Sequence, residues 1–245
     1  MTNKQLFNKG LRDGLPICLG YLSVSFAFGI FTVGLGLSVW QAILISMTNV
    51  TSAGQLAGVP IMVGGLPLVE MVLTQFVINL RYSLMSVSMS QKLSKKVLFR
   101  FRFLFAFMVT DEIFAVSISQ KEDLETPYML GLIATPFLGW TAGTALGAIA
   151  GDVLPSMVVS ALGIALYAMF VAIIIPPAKK NKAVAGCCLL AMALSCLFYY
   201  VPAFSKISQG ISIIVCALVS GVIFAVAFPV ADEENEADGK KEVPA

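Results

Sequence analysis

Two acids, Asp111 and Glu112, stand side by side inside the apolar stretch FMVTDEIFAV at residues 107–116, and Arg81 stands inside VINLRYSLM at 77–85. A charge at the centre of a membrane helix costs about 2.5–3.5 kcal/mol on insertion scales. Burial and a nearby arginine pull a carboxylate's proton affinity in opposite directions. Such a site can take and release a proton near neutral pH. The alternative is a static ion pair that only fixes helix packing. Glu70 and Asp152 are also ionisable but lie close to segment ends, where they reach the interface.

Depth connects the arginine to the acids. Arg81 lies about ten residues before the basic stretch 92–102 and Asp111 about nine after it, so at 1.5 Å per residue each sits roughly 14 Å from the same face. That is near the middle of a hydrocarbon core about 30 Å thick. Adjacent helical residues point about 100° apart, so one acid can pair with Arg81 while the other lines a pathway. Further polar groups that could meet a solute are Asn49, Thr51, Ser52 and Gln55 in one segment, and Gln75 and Asn79 in the next. Unwound backbone at Gly54 would add amide and carbonyl groups suited to a zwitterion. For each of these, an interhelical hydrogen bond is the plain alternative.

The elements that hold these residues follow from composition. The chain has 245 residues, 58% hydrophobic and 12% charged, with a mean hydropathy of +0.89. Soluble domains carry about 25% charged residues, so the solvent is a bilayer. The expected fold is all-α and polytopic, with eight apolar segments near 15–36, 39–63, 66–90, 103–119, 128–150, 155–177, 183–201 and 210–230. Residues 1–14 form a basic cytoplasmic N-terminus, 15–230 a single transmembrane domain, and 231–245 an acidic disordered tail. The first apolar run is long for a signal peptide and lacks a clear cleavage site, so it is expected to stay as a span.

Basic loops belong in the cytoplasm. Lys4, Lys9 and Arg12, the stretch Lys92–Arg102, and Lys179, Lys180 and Lys182 cannot all lie there if eight segments simply span. They can if segments 39–63 and 128–150 are discontinuous or re-entrant. Both carry small and polar residues, and Ser52–Gly58 resembles Thr141–Gly147, which suggests an internal three-segment repeat. The opposing possibility is that both span. Gly139, Gly143, Gly147 and Gly151 recur every four residues, a smooth ridge that fits a continuous helix from 137 to 151.

Enzyme readings find little support, and the chain is expected not to be an enzyme. It has no histidine, no phosphate-binding glycine loop and no metal motif. Its five cysteines lie in apolar segments without ligand spacing and read as packing residues. No cofactor, metal or nucleic-acid partner is expected. A coupled transporter fits ionisable groups at mid-depth, and a passive channel or pore for small solutes is the alternative.

The stretches GLPICLGYLSVSFAFGI (14–30), SMTNVTSAGQLAGV (46–59), INLRYSLMSVSM (78–89) and TDEIFAV (110–116) resemble the AzlC-type large subunits of branched-chain amino acid exporters. Weaker likenesses are GTALGAIAGDVLP (143–155) and LGIALYAMFVAIIIP (162–176). The resemblance implies export of hydrophobic amino acids across a bacterial inner membrane, coupling to the proton gradient, and a small AzlD-type membrane subunit as partner. In that reading Asp111 and Glu112 carry the coupling proton, and Arg81, Asn79, Gln55, Gly54 and Ser52 meet the substrate. The family often has a histidine where this chain has Tyr82, which shifts weight onto the two acids.

Overall fold

The computed structural model describes residues 1–155, 157, 171, 174–204 and 207–229. Most of the segment expected at 155–177, the weaker likeness at 162–176 and the acidic tail lie outside them. The described residues are helical, with no strand beyond one isolated bridge between Leu93 and Leu124. They fall into two compact units, Met1–Val171 and Ala172–Ala245.

In the first unit, α1 (Asn3–Gly34) opens on a reciprocal cap: Thr2 Oγ1 accepts from Gln5 N and Gln5 Oε1 accepts from Thr2 N. Its 32 residues make roughly 48 Å of helix, more than the hydrocarbon core requires. α2 (Val39–Thr48) and α3 (Ser52–Val63) are two short helices separated by an extended break at Asn49–Thr51. α4 (Leu68–Lys92) is continuous. α5 (Phe99–Met108) and α6 (Asp111–Ser119) are again short, separated by extended Val109 and Thr110. α7 (Thr126–Val153) runs unbroken through Pro136.

The core of this unit is the pairing of α1 with α7, which run in the same direction. Gly10 lies against Tyr128 and Leu132, Gly139 against Cys18, Gly143 against Leu22, and Gly147 against Phe26. A Cβ at any of these positions would collide with the opposing chain. Absent side chains let the two backbones approach, and close packing takes the place of a hydrophobic driving force inside a bilayer. This ridge holds α7 straight. The continuous alternative for segment 128–150 is therefore the one observed, and the re-entrant one is not.

Contacts at one end settle the path of the rest. Lys9 Nζ donates to Gln120 Oε1 (2.7 Å), and the Tyr128 hydroxyl to Asp13 Oδ2 (3.0 Å). Lys92 Nζ donates to the carbonyls of Ile118 and Gln120, and Leu124 N to Lys92 O (2.9 Å). The start of α1, the end of α4, the end of α6 and the start of α7 thus share one end. α5–α6 enters and leaves there. α1 and α4 each cross the unit, so α2–α3 enters and leaves at the other end, between turns that carry the positive-φ residues Gly36 and Gly65.

Two re-entrant hairpins therefore dip in from opposite ends. One is segment 39–63, as expected. The other is segment 103–119, which the sequence reading treated as a simple span. Its break has a local cause. Thr110 caps α6 by accepting from Ile113 N, and the two acids fill the first turn, where they complement the positive end of the helix. With this exchange, the basic N-terminus and the 92–102 stretch still lie at one end, as the charge pattern required. What recurs structurally is a hairpin turned at Val-Thr, at Val50–Thr51 and Val109–Thr110, rather than the likeness of 52–58 to 141–147.

In the second unit, α8 (Lys182–Tyr200) and α9 (Gln209–Ala227) form a hairpin. Asn181 caps α8 and Ser208 caps α9, and Gly186 admits the ring of Phe224. α1, α7, α8 and α9 are each long and apolar enough to cross a membrane.

Candidate functional site

Both breaks meet at the middle of α4. A cavity of about 230 Å³ lies between them, lined by residues 48–51 of the first break, Ala106, Phe107 and Val109 of the second, and Asn79 and Tyr82 of α4. Val50 and Val109 belong to one buried cluster with Ile17 and Tyr21 of α1. The hairpins are thus pinned by apolar side chains, and residues of each turn line the cavity. Irregular backbone at membrane depth is tolerated where it lines such a space.

The acids divide between two partners. Asp111 forms an ion pair with Arg81, Nη1 to Oδ2 at 2.9 Å and to Oδ1 at 3.0 Å, which is the contact expected from matched depth. Arg81 Nη2 donates to the Tyr82 hydroxyl (3.0 Å), and the guanidinium lies 4.7 Å from the Tyr82 ring centroid. Glu112 turns the other way. Its Oε2 lies 2.6 Å from the Tyr21 hydroxyl, which is also 2.5 Å from Thr110 Oγ1. A tyrosine hydroxyl has one proton. Donating it to the carboxylate leaves the oxygen to accept from Thr110. The Tyr21 ring is fixed edge-on against Trp140 at 5.1 Å.

α6 is therefore held at both ends. Arg81 and Tyr21 grip its acidic first turn, and Lys92 caps its last carbonyls, a cation placed at the negative end of a helix. The ion pair remains half-exposed, 46% for Arg81 and 40% for Asp111.

The other expected substrate residues are placed less directly. Asn79 lines the cavity. Gly54 does not lie in unwound backbone: it is in the first turn of α3, its N–H bound to Thr51 Oγ1 (3.2 Å) and its carbonyl to Gln75 Nε2 (2.7 Å). The unwound residues are Asn49–Thr51, just before α3. Ser52 opens α3. Gln55 is buried behind the break, donating to Asn49 O (2.8 Å) and Ser46 Oγ (3.1 Å), and Ser46 in turn meets Thr144 Oγ1 at 2.6 Å on α7. It braces the turn rather than lining the cavity.

Three residues escape the sequence reading as site residues, Tyr21, Thr110 and Tyr82, whereas Thr51 is among its candidates for meeting a solute. A signal existed for Thr110, since it follows a valine and precedes a good helix start. Tyr21 gave a weaker one: a buried tyrosine hydroxyl needs a partner.

The family model for AzlC protein matches residues 16–154, a stretch that holds both hairpins, the cavity and the ion pair. The chain belongs to the AzlC family. It is 33% identical over 181 residues to an uncharacterized membrane protein of Archaeoglobus fulgidus, covering 73% of this chain and 79% of that one. It is 26% identical over 196 residues to the inner membrane protein YgaZ of Escherichia coli, covering 77% and 80%. No solved structure matches. This AzlC-family chain is a polytopic all-α membrane protein, as its composition, its apolar helices and the descriptions of its relatives agree.

Proposed function

We propose that this AzlC-family protein is a secondary transporter that exports branched-chain and other hydrophobic amino acids, coupled to protons, as the large subunit of a two-component exporter. One observation carries the reading: two broken helices enter from opposite ends and meet at a single small cavity beside a mid-depth pair of acids. Discontinuous helices around a midplane site are a recurring design of secondary transporters, and alternating access then opens one side at a time. The cavity is somewhat smaller than pockets for drug-sized ligands, which begin near 300 Å³, and suits a small solute.

In this reading Asp111 and Glu112 exchange the coupling proton, and Asn79 meets the substrate. Arg81 tunes Asp111, while Ser52, Gly54 and Gln55 shape the turn that the substrate touches. The half-exposed ion pair supports a partner: charges at mid-depth are costly against lipid, and a small AzlD-type subunit would cover them. The end bearing the N-terminus and the 92–102 stretch is assigned to the cytoplasm by its lysines and arginines.

The test is efflux of labelled valine, leucine and isoleucine from cells or vesicles, with and without the small subunit and with an uncoupler. Export against a gradient that collapses with the uncoupler supports the reading. Flux that only follows the gradient and ignores the uncoupler indicates a passive pore instead.

A further inference from the structure

We propose that the cavity recognises the main chain of an α-amino acid, with the ammonium held by Asn79 Oδ1 and the carbonyl ends of α2 and α5, and the carboxylate held by the hydroxyl proton of Tyr82, which Thr51 supports. This deepens the transport reading and rests on it. It also removes Arg81 from direct substrate contact.

The ammonium side follows from a chain of amide orientations. Gly54 O can only accept, so the group facing it on Gln75 is Nε2 (2.7 Å). Gln75 therefore presents Oε1 to Asn79, whose Nδ2 donates to it (3.1 Å). The remaining atom of the Asn79 amide must be oxygen, so its identity rests on the network rather than on an assumed flip. That Oδ1 is buried and has no partner. A buried orphan acceptor is costly, and a cationic donor would relieve it.

The surroundings repeat the preference. α2 ends at Thr48 and α5 at Met108, both at the cavity. The last carbonyls of a helix lack intrahelical partners, and each C-terminus carries about half a negative charge. Of those at the first break, Ile45 O is taken by Asn49 N and Asn49 O by Gln55. No cationic side chain lines the cavity.

The donor side is equally defined. Thr51 Oγ1 accepts from Gly54 N, and the Tyr82 hydroxyl accepts from Arg81 Nη2. Each hydroxyl owns one proton; Thr51 gives its own to the Tyr82 oxygen, so the proton left to donate is that of Tyr82. Both line the cavity. Arg81 turns Nη1 to Asp111 and Nη2 to Tyr82, and it does not line the cavity. Phe107, Val50 and Val109 supply an apolar wall for the side chain.

The test is equilibrium binding of labelled L-leucine to the full chain in lipid nanodiscs. Competitors are isopentylamine (ammonium only), 4-methylpentanoate (carboxylate only) and sodium chloride. Asn79→Leu is expected to lose at least tenfold in affinity for leucine and the amine, with the acid unaffected. Tyr82→Phe is expected to lose at least tenfold for the acid, with the amine unaffected. Wild-type affinity of Asn79→Leu for leucine and the amine overturns the proposal and leaves the transport reading standing. Displacement by sodium but not by the amine also overturns it, in favour of a free-cation site. If leucine fails to bind the wild type while the amine binds through Asn79, the acceptor face stands and the amino acid reading falls. Should Asn79→Leu fail to fold, Asn79→Asp keeps the acceptor and must retain the amine; a tenfold loss there sinks the assignment.

Discussion

Tyr21 on α1 donates its hydroxyl proton to Glu112 on α6 across 2.6 Å, between residues 91 positions apart. The bond ties a half-helix that ends at mid-depth to the longest helix of the unit. It also separates two acids that are neighbours in sequence, leaving Asp111 to Arg81. Replacing Tyr21 with Phe keeps the ring on Trp140 and removes the donor. Because Glu112 is otherwise exposed, the expected loss is only about 1 kcal/mol, read as a lower Tm of the purified protein. Glu112→Gln keeps an acceptor for Tyr21, so its Tm should stay close to wild type while gradient-driven efflux is abolished. Normal efflux from both Glu112→Gln and Asp111→Asn would remove the acids from the coupling step.

The Arg81–Asp111 pair makes a second prediction. Arg81→Ala or Asp111→Ala leaves one uncompensated charge near mid-depth, at a cost of about 2.5–3.5 kcal/mol. The double variant leaves none. Membrane yield and thermal stability should fall in both single variants and recover in part in the double. Additive losses would mean that the two side chains do not depend on each other.

Gly147 and Gly20 offer a controlled contrast. A Cβ at Gly147 would strike the backbone of Phe26, whereas nothing lies within 4 Å of one at Gly20. Gly147→Ala should destabilise the protein by about 1–3 kcal/mol, as overpacking does. Gly20→Ala should be neutral or stabilising by up to about 1 kcal/mol through helix propensity. Thermal denaturation of the two variants compares them directly.

Path of the chain is open to labelling. In a background lacking the five native cysteines, all free in the described structure, single cysteines at Gln5, Lys95 and Glu122 should react from one side of the membrane. Cysteines at Gly36 and Gly65 should react from the other. Labelling of Lys95 from the same side as Gly36 would contradict the pair of opposed hairpins.

Much of this was legible in the residues. Arg81 and Asp111 were matched by counting from one basic stretch, because rise per residue converts sequence distance into depth. The break in segment 39–63 was visible as a polar run within apolar sequence. The break in segment 103–119 was missed because it is only two residues long, Val109 and Thr110, with no glycine or proline in it. Its marker was the capping threonine followed by two acids, read as chemistry when it was also helix punctuation. The glycine ridge of α7 was seen, but its partner was not, since α1 presents carbonyls and small side chains that no pattern distinguishes from lipid-facing sequence. The cavity was out of reach for a similar reason: its lining comes from two turns and the middle of α4, brought together only through tertiary packing.

The parallel match of α1 with α7 also has a consequence for biosynthesis. α1 is complete at Gly34 and α7 begins only at Thr126. At about 5–20 residues per second, the first helix waits roughly 5–20 s for its mate. Over that interval the surface around Gly10, Gly14 and Gly29 has no opposing chain, and the Tyr21 hydroxyl gains its partner only when α6 emerges. Neither hairpin can be finally seated until α7 arrives to close against α2 and α6. Nascent chains arrested before residue 126 should therefore stay bound to the insertion machinery, and those released after Val153 should not.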